Sequence, residues 1–146
     1  MKFDYEANFR LQDCIAKMGL EEQGRVERHI AEQILVLSDE YIPFDEGGLK
    51  DSARISQTGL GTVISWNTPY ARYMWNGIVY EYPQLNCAGL KTDKGWRSKK
   101  GVQKIPTNRK LTYGNGPLRG PKWVDRMMNN GGREAIEQSA REVVKR

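Results

Sequence analysis

The sequence predicts an α+β fold: a long amphipathic helix and a C-terminal helix packed on a small antiparallel β-sheet, with a long exposed basic loop. Three observations predict it. Val26, Ile30, Ile34, Leu37 and Tyr41 recur at steps of 4, 4, 3 and 4 residues, one stripe of an α-helix. Residues 54–58 and 61–66 are β-favouring runs on either side of Gly59-Leu60, the pattern of a hairpin. Ile136, Ala140 and Val143 return to helical spacing near the C-terminus.

Taken in order, residues 1–8 are expected to form a short strand, because Phe3 and Tyr5 alternate with Lys2, Asp4 and Glu6. Residues 10–18 fit a short helix with Leu11, Ile15 and Met18 on one face and Gly19 as its stop. The long helix is expected over residues 21–41. Glu22, Arg25, Arg28, Glu32 and Asp39 occupy its polar face, and Pro43 ends it by lacking an N–H and disfavouring helical geometry before it. His29 sits beside the apolar stripe and reads as a helix-boundary histidine. Pro43 and Gly47-Gly48 force a turn, after which residues 49–55 can begin a new element. Asp45, Glu46 and Asp51 form a modest acidic cluster whose spacing matches no ligand motif, so a solvated turn is the expected reading. The Gly-Leu-Gly-Thr run at 59–62 lacks the Gly-Lys-Ser/Thr ending of a phosphate loop.

Thr68-Pro69-Tyr70 turns the chain into a run dense in aromatics: Tyr70, Tyr73, Trp75, Tyr80 and Tyr82. Such density does core or interface work, because each ring hides a large area. Subunit contact and ordinary core both fit, with a base-stacking platform as a third reading. The five are the candidate subunit-interface residues.

Residues 91–110 differ in kind. They hold eight Lys and Arg against Asp93 alone, a local charge of +7 in a chain whose net charge is +5. The rest of the chain is therefore at −2, and all the basicity belongs to one glycine-punctuated segment with almost no core residues. It reads as a long exposed loop. Lys94, Arg97, Lys99, Lys100, Lys104, Arg109 and Lys110 are its candidate contacts. They suit a solvated loop, a polyanion such as DNA passing nearby, or an acidic partner protein. Beyond it, Trp123, Met127 and Met128 suit one helical segment, residues 129–132 interrupt it, and residues 133–144 continue it. Arg141, Lys145 and Arg146 gather where cations suit the helix dipole.

The 146 residues fit a single domain, with no internal repeat or evident boundary. The N-terminus carries scattered acids and no apolar run, so no signal peptide is expected. No stretch approaches the roughly 18 apolar residues of a membrane span. Cys14 and Cys87 are far apart and read as free thiols of a reducing compartment. A zinc site needs about four local Cys or His ligands, and His29 is the only histidine. It has no nucleophile elbow beside it to make a hydrolase, and the carboxylates have no distinctive pairing. No enzymatic activity, cofactor or metal is expected.

Gly24-Arg25-Val26, Ser38-Asp39-Glu40-Tyr41-Ile42-Pro43-Phe44 and Gly48-Leu49-Lys50-Asp51-Ser52 are followed by Trp66-Asn67-Thr68-Pro69-Tyr70-Ala71-Arg72-Tyr73 and Trp75-Asn76-Gly77. Trp123, Asp125, Arg126 and Met127 then precede the terminal helix. In order and spacing these segments resemble the minor capsid protein family of tailed phages and prophages. The sequence departs from the family at Glu40, where proline is frequent, and in lacking a second tyrosine near Trp75. Residues 91–110 fall where such proteins vary.

The resemblance implies a structural protein of the virion at the head–tail junction, more distantly similar to tail-completion and head–tail joining proteins. It implies a homo-oligomeric ring, expected to be six-fold, between connector and tail, with other connector and tail proteins as neighbours and no membrane. Non-specific contact with DNA in the channel is a further expectation. The protein would reside in the host cytoplasm before assembly. A tail terminator or stopper is the alternative within the same particle, and a basic nucleic-acid-binding protein the alternative outside it.

Overall fold

The computed structural model describes residues 17–20, 24–59 and 61–146. The strand expected at 1–8, Cys14, and all but the last two residues of the helix expected at 10–18 lie outside the described residues.

The amphipathic stripe becomes α1, Arg25–Ser38, entered through the extended backbone of Gly24. Gly24 itself offers no capping side chain. Instead the Val26 N–H donates to the Gly19 carbonyl at 3.1 Å, and Glu27 places a carboxylate in the positively polarised first turn. The helix stops at Ser38, three residues before the expected Tyr41. The Tyr41 and Ile42 amides both return to the Ser38 carbonyl, at 2.9 and 3.0 Å. This tightened turn aims both side chains inward ahead of Pro43, and both are buried. Its carbonyls are collected from far along the chain. The Arg119 guanidinium donates to the Asp39 carbonyl and, at 2.7 Å, to that of Ile42, while the Gly120 N–H donates to Tyr41 at 3.1 Å.

A short helix, α2, Gly48–Asp51, leads into β1, Ala53–Thr58, and β2, Gly61–Trp66. These two strands pair antiparallel from Ala53 with Trp66 to Thr58 with Gly61, as the hairpin pattern predicts. Helix α1 docks on the ribbon through Glu27, whose carboxylate accepts the Thr62 N–H. Helix α3, Ala71–Asn76, ends in the left-handed Gly77, φ 73°, whose N–H returns to the Tyr73 carbonyl at 3.0 Å. A side chain there would also strike Pro121, 2.7 Å from where its Cβ would lie.

Residues 91–110 correct the sequence reading. All but Lys104 and Thr107 are exposed, as expected, but much of the segment is β-structure rather than a loop. Strands β4, Leu90–Thr92, and β5, Gly95–Arg97, form a hairpin, and β6, Ile105–Lys110, pairs antiparallel with β3, Ile78–Glu81. Pro106 lacks a ladder N–H and the register shifts between Ile78 and Tyr80. At that irregularity the Thr107 hydroxyl donates to the Val79 carbonyl at 2.7 Å, so a side chain completes what the ladder leaves open. Among the described residues the single expected sheet is therefore three separate two-stranded ribbons.

The C-terminal helix comes in two parts, α4, Trp123–Met127, and α5, Arg133–Val144. Between them Asn130 and Gly131 leave helical geometry, Gly131 with φ 90°. The Asn130 amide donates to the Tyr41 hydroxyl at 2.6 Å across the kink. Helix α5 packs on α1, where His29 Nε2 and Ser139 Oγ share a 2.7 Å hydrogen bond. His29 is thus a half-buried residue between two helices. Tyr41, Ile42, Leu49, Trp123, Met127 and Ile136 form the core. Trp123, 1% exposed, is its centre, with Trp66 and Trp75 meeting it edge-on at 5.5 and 4.7 Å.

Candidate functional site

Two surface features stand out among the described residues. One is the basic arm built on β4 and β5. Every residue from 91 to 100 is exposed. Lys91, Lys94, Arg97, Lys99 and Lys100 stand against Asp93, a charge of +4 in ten residues. Trp96 is 72% exposed, the largest exposure among the large apolar side chains described. The arm is tied at its base by Tyr82. This residue is 1% exposed, and its hydroxyl accepts the Lys99 N–H and lies 3.4 Å from the Lys99 carbonyl. Lys104 braces the same point: its ammonium sits 5.3 Å from the Tyr73 ring and 5.2 Å from the Tyr82 ring, and donates to Ser98 Oγ at 2.8 Å.

The other feature is an open groove of about 640 Å³. Leu49 and Met74 contribute apolar surface to it, and Phe44, Tyr70 and Tyr113 give aromatic surface. Asp45 and Glu46, both exposed, belong to the same groove, and neither forms an ion pair among the described residues. Asn115, in left-handed geometry, donates its amide to the Phe44 carbonyl at 2.7 Å and fixes one rim. The Tyr113 hydroxyl donates to the Met74 carbonyl at 2.7 Å. Burial pushes its pKa above the ordinary tyrosine value, against a smaller opposing pull from the Arg126 guanidinium.

The aromatic run that stood out in the sequence is distributed among different surroundings. Trp75 packs against Trp123 in the core, and Tyr82 holds the arm. Tyr73 and Tyr80 pack at a tilt of 51° with ring centres 4.8 Å apart, and Arg72 lies over the Tyr73 ring. Tyr70 alone is exposed, at 43%, and it belongs to the groove. The basic candidates also divide. Lys94, Arg97, Lys99 and Lys100 project from the arm. Lys104 is engaged as described, Arg109 forms an ion pair with Glu81, and Lys110 stands opposite Ile78 in the β3–β6 ladder.

Sequence reasoning missed Trp96, Phe44, Tyr113 and Arg119. A tryptophan inside a run of cations was a signal for Trp96. Nothing local marked Phe44 and Tyr113 as neighbours, since they come from distant segments. Asp45 and Glu46 are exposed turn residues, as expected for them, but the turn edges the groove. Among the described residues no group of three or more His, Cys, Asp or Glu could hold a metal ion. No helix among them is long and apolar enough to cross a membrane, and Cys87 is a half-buried free thiol.

The profile of the minor capsid protein family matches residues 10–112. The chain belongs to the minor capsid protein family. The match takes in α1, both strands of the first hairpin, the aromatic run and the whole basic arm. Trp123 and the kinked C-terminal helix lie beyond it, so the closing segments of the sequence resemblance stand outside the matched region. No curated protein and no solved structure matches this minor capsid chain. The family makes it a structural protein of the phage particle, one that works among other virion proteins.

Proposed function

We propose that this minor capsid protein is a neck subunit of a tailed phage or prophage, forming a homo-oligomeric ring that joins the head connector to the tail. One observation carries the reading: the chain extends an exposed basic β-arm that displays Trp96 on β5, a feature that contributes little to its own core. A large exposed indole among cations is costly to leave in water and useful when a neighbour covers it. A ring subunit needs two unlike, complementary patches, a heterologous contact that closes by rotation. The arm and the groove are unlike in charge and shape and can serve as such a pair. A neck ring also surrounds the path of DNA, so the arm's charge suits a channel-facing position as well as a protein neighbour.

Electron cryo-microscopy of particles made with and without the gene tests the assignment. Tailless heads and free tails in its absence are the expected result. Fully joined, infectious particles without it would remove the neck role.

A further inference from the structure

We propose that the basic arm of one copy docks in the acidic aromatic groove of the next, with the Trp96 indole entering the groove and Lys91 and Lys94, on the same side of the hairpin, facing Asp45 and Glu46. This rests on the ring reading above and names its subunit contact.

Charge complementarity selects the occupant. The arm carries +4 over ten exposed residues, and the groove presents two carboxylates that no cation neutralises among the described residues. Shape agrees with charge. The groove, about 640 Å³ and open to solvent, is lined by Phe44, Tyr70, Tyr113, Leu49 and Met74, a surface that suits a flat indole better than a polar chain. Its aromatic lining can receive a ring, and its two carboxylates offer acceptors to Lys91, which stands opposite Trp96 in the hairpin, and to Lys94. The arm is built to deliver Trp96. Tyr82 and Lys104 anchor its base, while the short β4–β5 hairpin holds Gly95 to Arg97 opposite Leu90 to Thr92. A partly fixed arm loses less freedom on docking than a loop. The same cations repel a second arm and suit a polyanion, so DNA is the competing occupant. DNA, however, leaves the two unpaired groove carboxylates and the aromatic walls without a role.

The experiment replaces Trp96 with a photo-crosslinking phenylalanine analogue in the full chain, supplied to phage lacking the gene, and irradiates purified particles. Crosslinks from position 96 to residues 44–49, 70 or 113 of another copy, seen as a ladder of dimers and higher species, are expected. Crosslinks to DNA, to a different virion protein, to other surfaces of this chain, or no crosslink at all would overturn the docking. Neck position is read separately from density in the same particles, so the two ideas fail independently. A charge exchange adds a second readout. Lys91→Glu with Lys94→Glu, or Asp45→Lys with Glu46→Lys, is expected to lower complementation about tenfold or more per reversed pair, and combining the two sets to restore it. Combined variants no better than either set alone would also overturn the contact, since all four positions are exposed, where substitutions change the stability of the isolated fold little.

Discussion

Arg119→Met isolates the clasp that closes the end of α1. Methionine keeps the length of the stem and removes the guanidinium. Two hydrogen bonds vanish, to the carbonyls of Asp39 and Ile42, and so does the cation over the Phe44 ring at 5.3 Å. Hydrogen bonds from a charged donor contribute about 1.5–3 kcal/mol each. Arg119 is half-exposed, so water can partly replace it and the low end applies: about 3 kcal/mol for the pair, with roughly 0.5 kcal/mol more from the ring. For a chain of this size 1 kcal/mol moves the midpoint by about 3 °C, so the variant is expected to melt about 10 °C lower. Thermal denaturation followed by circular dichroism measures this, and urea unfolding checks that the slope is unchanged. Arg119→Lys retains one donor and is expected to recover part of the loss. A midpoint within about 2 °C of the parent for Arg119→Met would refute the reasoning, because the loss expected of two uncovered carbonyls is several times larger.

Ser38 is fully buried at the end of α1 and its hydroxyl has no partner among the described residues. Ser38→Ala is therefore expected to stabilise by about 1 kcal/mol, read as a higher urea midpoint at constant slope. Gly77→Ala forces a side chain into φ 73° and against Pro121; it is expected to cost about 2 kcal/mol, and a melt unchanged from the parent would contradict it. The raised pKa of Tyr113 means that the folded state holds the proton more tightly than the unfolded chain. Its contribution to stability is full below the ordinary value of 10.0 and is lost as pH rises through the higher folded value. Unfolding measured from pH 8 to 11.5 is expected to show stability falling at the alkaline end, and Tyr113→Phe is expected to weaken that fall while giving up the bond to Met74.

What the sequence determined by itself was local. The 3.6-residue period of Val26, Ile30, Ile34 and Leu37 specifies a helix because each residue's face depends only on its near neighbours. Two β-favouring runs with two residues between them specify a hairpin for the same reason, and the ladder from Ala53–Trp66 to Thr58–Gly61 follows. The break at Asn130 and Gly131 was equally legible, since glycine and asparagine accept the backbone geometry it needs. Charge was legible as exposure, because lysines in such numbers stay in water. It was not legible as strand or loop: Pro106 and the cations speak against β6, yet pairing with β3 and the Thr107 bond to Val79 outweigh that local preference.

Only the tertiary structure decided who meets whom. It separates Trp75 from Tyr70 by sending one to Trp123 and the other to the groove, although both belong to one aromatic run. It brings Arg119 back to Asp39 and Ile42, and Tyr113 to Met74, across 39 to 80 residues. It assembles the groove from three distant segments. Such contacts depend on how the whole chain closes around its core, with each ring and guanidinium going where a cavity or an unpaired carbonyl is left for it, and no repeat or spacing in the sequence records that closure.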